Sequence, residues 1–180
     1  MMQHIIITRF APGIKDEKWY DEAIPLFEAV TYKSVLGQTS QDFLWLIVTD
    51  CDIPETSYQR LRALVDPHPH LHLVPIDPFN TPTIRLGGYD WVFQGCKNYL
   101  YQNDIDCDDA WHVETIEYVN RIWHDKWPAF KKAEDSRGNT IKHSAGAIMT
   151  FGAGLELFPE QDIVITRTKK YLKSMSIFVA

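Results

Sequence analysis

The stretch Tyr99 to Trp111, Y-L-Y-Q-N-D-I-D-C-D-D-A-W, decides the fold class. Tyr99, Leu100 and Tyr101 make a short apolar and aromatic run, and helical spacing begins at Trp111, so Asp104, Asp106, Asp108 and Asp109 fall where a strand ends. In open α/β sheets that is where ligands bind. On an extended chain alternate residues point the same way about 6.6 to 7 Å apart, which would align Asp104, Asp106 and Asp108 and turn Cys107 away. Carboxylates so placed repel by about 2 to 3 kcal/mol per pair at an effective dielectric of about 20. Protonation, solvation or a bound cation relieves that repulsion.

Hard oxygen donors with no imidazole or thiolate beside them favour Mg²⁺ or Mn²⁺, with Ca²⁺ still open, over Zn²⁺. Mg²⁺ typically takes one or two carboxylates and completes its shell with water and substrate phosphates, so D-x-D-D suits a nucleotide substrate better than a closed structural site. An EF-hand fits poorly, because counting from Asp104 places Asp109 where the loop needs Gly and Thr115 where it needs Glu. The alternative use of the same acids is a hydrated loop that caps the next helix through Asp108 or Asp109.

Outward from this stretch the chain reads as alternating strands and helices. His4 to Thr8 (H-I-I-I-T) and Phe43 to Thr49 (F-L-W-L-I-V-T) are continuous apolar runs of the kind buried on both faces of a parallel sheet. Helical spacing between them runs from about Pro25 to a stop at Gly37. A second helix is predicted to about Val65, with Asp52 as cap, Pro54 in the first turn and Glu55 closing a capping box. Leu71 to Ile76 gives a third strand. His68, His70 and His72 alternate before and into it, but no acid lies near at ligand spacing, which favours satisfied or surface histidines over a metal site. Gly and Pro interrupt 81–97, helical spacing spans Trp111 to Trp127, and 141–158 and Ser174 to Val179 are β-rich. Trp111, Trp123 and Trp127, at helical spacing, are expected in the core rather than as a sugar-stacking shelf.

A chain of 180 residues with 45% hydrophobic content supports one α/β domain. The net charge of −6 and pI near 5.6 argue against a nucleic acid polymer as partner, which needs a basic stripe, but leave a single nucleotide open. Cys51, Cys96 and Cys107 are odd in number and lack C-x-x-C spacing, so a reducing, cytoplasmic setting is expected. No secretory signal is expected before the first strand, and no apolar run approaches the roughly 20 residues of a transmembrane span.

Arg9-Phe10 after the first strand, Ser34-V-L-G-Gln38-Thr39 leading to Phe43-L-Trp45, Asp50 at the end of the second strand and I-Asp106-C-Asp108-Asp109-A occur in an order that resembles the rhamnosyltransferase family, which is similar to GT-A glycosyltransferases. The resemblance covers roughly the first two thirds of the chain. It implies a GT-A-like, Rossmann-like, mostly parallel sheet flanked by helices, with a β-rich C-terminal part and a nucleotide-sugar site. It further implies that Asp106 and Asp108, joined by Asp109, hold Mn²⁺ or Mg²⁺ on the donor diphosphate, and that Thr8, Arg9, Asp50 and Asp106 contact the donor, a dTDP- or UDP-sugar. Asp104 stands where the family pattern has Arg, which adds negative charge beside the diphosphate and leaves the donor open. GT-A enzymes commonly take a third metal ligand, often His, from a C-terminal segment, and no His follows His143. His143, water, or an incomplete site are the alternatives.

The chemistry so implied is transfer of a sugar, rhamnose by the family resemblance, from a nucleoside-diphosphate sugar to a hydroxyl of a glycan or other acceptor, the metal neutralising the leaving diphosphate. An inverting enzyme needs a carboxylate to take the acceptor proton. Glu160 and Asp162 are the candidates, with Glu156 beside them and Glu134 and Asp135 as outsiders; each has a solvated surface acid as its alternative. A non-catalytic nucleotide-sugar-binding module is the rival from another class, and a metal-dependent nucleotidyl or phosphodiester enzyme is the third.

Overall fold

The computed structural model describes residues 3–77, 100–121, 148–150, 153–158, 163–168 and 174–178, with side chains described for 4–77 and 105–121. The interrupted stretch 81–97 and, of the helical span expected from Trp111 to Trp127, the residues after 121, Trp123 and Trp127 among them, lie outside the described residues. Strand β1 (Gln3–Arg9) is followed by helix α1 (Glu17–Phe27), a π-helical turn (Glu28–Tyr32) and a short helix α2 (Lys33–Leu36). Then come β2 (Leu44–Asp50), α3 (Glu55–Val65), β3 (Leu71–Ile76) and β4 (Leu100–Asp104). Helix α4 occupies 115–121. The remaining strands are β5 (Ile148–Thr150), β6 (Ala153–Phe158), β7 (Ile163–Thr168) and β8 (Ser174–Phe178).

Six strands form one sheet in the order β3-β2-β1-β4-β8-β5, and β6 pairs with β7 separately. The first four are mutually parallel, while β8 runs antiparallel to both β4 and β5. The fold class is therefore α/β, as the alternation of apolar runs and helical spacing leads one to expect.

Period-two alternation splits the central strands between two faces. Ile6, Trp45 and Ile47 face the helices and pack with Tyr20, Ile24 and Phe27 of α1, Leu61 and Val65 of α3, and Ile116 of α4. Ile5, Ile7, Leu46, Val48, Val74 and Ile76 form the core of the other face. Burial on both sides explains why β1 and β2 read as unbroken apolar runs. On the helix side Phe10, Trp19, Tyr20, Phe27, Tyr32 and Trp45 form a chain of ring contacts with centroids 5.1 to 6.2 Å apart. Such pairs contribute about 0.5 to 1.5 kcal/mol each beyond their area burial.

Helix α1 starts well before the predicted Pro25. Asp16 caps it, accepting from the Lys18 N–H at 3.1 Å, and Tyr20, Ile24 and Phe27 are its buried stripe. Pro25 sits inside the helix, and the π-helical turn follows directly. Gly37 ends the helical stretch at φ −79°, so its use is not a left-handed backbone: a Cβ there would stand 3.0 Å from the Lys33 carbonyl oxygen. The capping box expected for α3 is also corrected, because Pro54 is the cap residue and makes no side-chain cap bond. Asp52 instead pairs with the Lys15 ammonium, which holds its carboxyl below the usual range.

The loop from β1 to α1 is tied to the end of β2. Ala11-Pro12-Gly13-Ile14 closes with Ile14 N–H donating to the Ala11 carbonyl at 3.0 Å, with Gly13 at φ +95°. Pro second and a positive-φ Gly third are what a type II turn requires. The Gly13 N–H donates to Asp50 Oδ2 at 2.8 Å and the Asp52 N–H donates to Asp50 Oδ1 at 2.8 Å, so the fully buried Asp50 joins three segments. Tyr20 donates its hydroxyl to the Ile14 carbonyl at 2.8 Å; burial, and then the Asp50 charge, push that hydroxyl up to about 12, so it stays a donor.

A Gly13→Ala variant meets no atom within 4 Å of its Cβ, so its cost is backbone strain alone. We expect a loss of about 1 to 2 kcal/mol in denaturant unfolding; an unchanged midpoint would refute the turn assignment. The ring of His70 packs edge-on to Phe43 at 5.0 Å and lies 6.0 Å from that of His68. Burial, then the neighbouring His68 and His72, hold it below the usual 6.5. A lowered histidine pKa favours the neutral ring in the fold, so its stabilisation is full above pH 6.5 and is lost as pH falls toward the folded value. Melting temperature should therefore drop on acidification through that window, and His70→Phe should flatten the drop.

Candidate functional site

Parallel pairing puts the carboxyl ends of β1 to β4 on one side of the sheet. The chain moves from β1 outward through β2 to β3 and then returns to place β4 on the opposite flank of β1. The reversal makes the carboxyl ends of β1 and β4 the topological switch point, the position at which open α/β sheets take ligands. Residues at those ends are Arg9 on β1, Asp50 on β2 and Asp104 on β4. Ile7 pairs with Asp104, and the Ile105 N–H continues the ladder to the Ile7 carbonyl at 3.0 Å. The paired register stops at Ile7 and Asp104, two residues short of both Arg9 and Asp106. Both are exposed.

The acids do not continue the strand. β4 ends at Asp104, Ile105 is buried, and the Asp109 N–H closes a turn onto the Asp106 carbonyl at 3.2 Å. The expected alignment of Asp104, Asp106 and Asp108 on one strand face is therefore corrected: alternation stops where the ladder stops. Within the turn Cys107 packs against the helix-side core together with Trp111, which anchors it, while Asp106 and Asp108 are exposed and Asp109 is half-buried. Trp111 thus takes the core role expected of it. Neither Asp108 nor Asp109 caps the next helix, since α4 begins only at 115; its first turn is served by Gln38, whose Oε1 accepts from the Ile116 N–H at 3.0 Å.

Among the described residues, one group of three places His, Cys or carboxylate ligand atoms within 4.8 Å of one another, and it is Asp50, Cys51 and Asp52. These groups have other work. Each oxygen of Asp50 accepts a backbone N–H, Asp52 is paired with Lys15, and partial desolvation with the carboxylates of Asp52, Asp50 and Asp77 pushes the Cys51 thiol up, away from the thiolate a metal needs. The cluster is a loop staple. The three acids of the 106–109 turn do not form such a group, and Asp106 with Asp108 offers two exposed carboxylates from a backbone turn. The alternating histidines likewise form no such group.

Thr8 is fully buried, and its hydroxyl accepts from the Trp45 indole N–H at 2.9 Å. Its side chain thus serves the core between β1 and β2. Glu156 lies on β6, opposite Ile165 of β7. Glu160, Asp162, His143, Glu134 and Asp135 lie outside the described residues. Arg9 ends β1, Asp106 follows the end of β4 on one flank of it, and Asp50 ends β2 on the other flank.

A set of residues with no role legible in the sequence also belongs to the site. Thr31, Ser34 and Gln38 recur at helical spacing on the segment through the π-helical turn, and all three side chains bond to backbone between Asp106 and Ile116. Their spacing was the available signal, but nothing in sequence says what a polar helical stripe faces. Gln38 is 4% exposed and uses both donors and its acceptor, donating to the Ser34 carbonyl at 3.0 Å and the His112 carbonyl at 2.8 Å.

No helix of the described residues is long and apolar enough to cross a membrane. Compared with known proteins, residues 7–164 match the family model described as "Putative rhamnosyl transferase". No curated protein matches the chain. The matched span contains β1 and its Arg9, the Ser34 to Thr39 element, Asp50 and the acidic turn. The chain therefore belongs to this rhamnosyl transferase family, whose description is that of glycosyltransferases acting with a sugar donor and an acceptor.

Proposed function

We propose that the protein is a metal-dependent glycosyltransferase, a single GT-A-like domain that moves a sugar, rhamnose by the family's description, from a nucleoside-diphosphate sugar to an acceptor hydroxyl. The observation that carries the proposal is the turn after β4, which bears the exposed Asp106 and Asp108 at the switch point beside β1, the strand that ends in Arg9. The donor set fits Mn²⁺ or Mg²⁺. It consists of hard carboxylate oxygens, Cys107 between them is packed on the core, and two carboxylates leave most of the coordination shell to water and phosphate.

Asp106 and Asp108, with Asp109 beside them, would hold the ion. Bound there, it would supply charge neutralisation for the diphosphate that leaves with the nucleotide. Arg9 presents a permanently charged planar fork that suits a phosphate oxygen pair. The β1–α1 loop, held by Asp50, borders the nucleotide side, which supports a donor contact from this part of the cleft. Glu160 and Asp162, with Glu156 as neighbour, are the proposed sources of the base that takes the acceptor proton, and His143 is the proposed third ligand.

The expected outcome is synergy. Mn²⁺ with UDP or dTDP should raise the melting temperature by more than the sum of the two added separately, and Asp106→Ala or Asp108→Ala should abolish the excess while leaving the unliganded melting temperature within a few degrees. A wild-type protein with no such excess would refute the donor site. Hydrolysis of a panel of nucleotide sugars then separates an enzyme from a binding module of the same fold: binding with no turnover in the presence of acceptor panels favours the module.

A further inference from the structure

The helical segment that precedes β2 reaches the acidic turn and its exit through a row of side chains. Thr31, fully buried, donates its hydroxyl to the Asp106 carbonyl at 3.2 Å. Ser34 Oγ accepts from the Trp111 N–H at 3.3 Å. Gln38 bonds both the His112 carbonyl and the Ile116 N–H. Thr39 adds its own N–H to the Val113 carbonyl at 2.9 Å and its hydroxyl to Glu117 Oε2 at 2.8 Å.

The Asp106 carbonyl is the acceptor that closes the turn, and it receives two donors, the Asp109 N–H from within and Thr31 from outside. A turn closed by one backbone hydrogen bond interconverts readily with open forms. One that is also bonded to a buried hydroxyl, and whose exit is gripped by a buried glutamine, has lost most of that freedom. The π-helical turn spans Glu28–Tyr32 and so includes Thr31; such turns are common at functional sites because they re-aim side chains within a helix.

We propose that Thr31 is a positioning residue for the acidic turn, with Ser34 and Gln38 completing the bracket, and that this bracket presents the Asp106 and Asp108 carboxylates to the cation before it binds. The proposal rests on the donor site above and adds to it that cation affinity is set in part by a neutral hydroxyl that touches neither ion nor nucleotide. Groups that orient ligands from behind commonly govern metal affinity in this way.

The test uses the full chain with Cys51→Ser and Cys96→Ser, which leaves Cys107 as the one thiol of three. Thr31→Val removes the hydroxyl at nearly constant shape, and Thr31→Ser keeps it. Two quantities are measured: the Kd for Mn²⁺ in saturating UDP, and the rate at which a thiol reagent modifies Cys107 in the absence of metal. Thr31→Val should weaken Mn²⁺ binding by about tenfold and speed Cys107 modification severalfold, and Thr31→Ser should restore both. If Thr31→Val does not fold, Ser34→Ala provides the same readouts with smaller expected changes. A Thr31→Val protein with wild-type Mn²⁺ affinity overturns the proposal, whatever its melting temperature. Should the wild type bind no Mn²⁺ with UDP, the donor site itself fails; faster Cys107 modification in Thr31→Val would still uphold the bracket on the turn, and an unchanged rate would overturn it too.

Discussion

Everything in the described structure depends on β1 being paired in parallel on both of its edges. Its neighbours β2 and β4 lie on opposite edges of it, and parallel pairing leaves them no choice but to end on the same side. Both faces of β1 must then be apolar, which His4 to Thr8 supplies through Ile5, Ile6 and Ile7, all buried. The switch point at the carboxyl ends follows from that arrangement. Loops after β1, β2 and β4 leave the same edge of the sheet.

The acids at that place fall into two physical classes. Asp50 is fully buried, and both of its oxygens are engaged by backbone N–H groups. A carboxylate so held is stabilised by charge-assisted hydrogen bonds of about 1.5 to 3 kcal/mol each, and it ties the β1–α1 loop to the end of β2. Asp106 and Asp108 are exposed on a turn closed by the Asp109 N–H on the Asp106 carbonyl. The one compact group of potential ligands, Asp50 with Cys51 and Asp52, belongs to the first class in spite of its geometry, because a lysine and two backbone amides already occupy it.

The element Ser34 to Thr39 gains its meaning from the same distinction. In sequence it is a polar run at the end of a helix. In the fold Ser34 and Gln38 bond the backbone of Trp111, His112 and Ile116 and Thr39 the Glu117 carboxylate, across more than seventy residues of chain. Two parts of the family pattern that lie far apart in sequence are thus one mechanical unit, a bracket and the turn it carries.

How much was legible follows from the range over which each signal acts. Strands β1, β2 and β3 were readable within one residue at most ends, since continuous β-branched and aromatic runs report burial directly, and the switch-point position of the acids followed from the order of elements. The start of α1 is not legible because Pro25, which lies inside the helix, is a residue that ordinarily marks a first turn. The cap of α3 was misassigned because Asp52, a competent cap by type, found a lysine from another loop. By itself, then, the sequence determined the α/β class, the apolar strands and the presence of clustered carboxylates after β4, because these depend on composition and local period. Only the tertiary structure decided that the carboxylates leave the strand in a turn, that Asp50 and Thr8 turn inward, and that Thr31, Ser34 and Gln38 grip the turn, because each of these is settled by a hydrogen-bond partner that lies distant in sequence and is brought near only by parallel pairing.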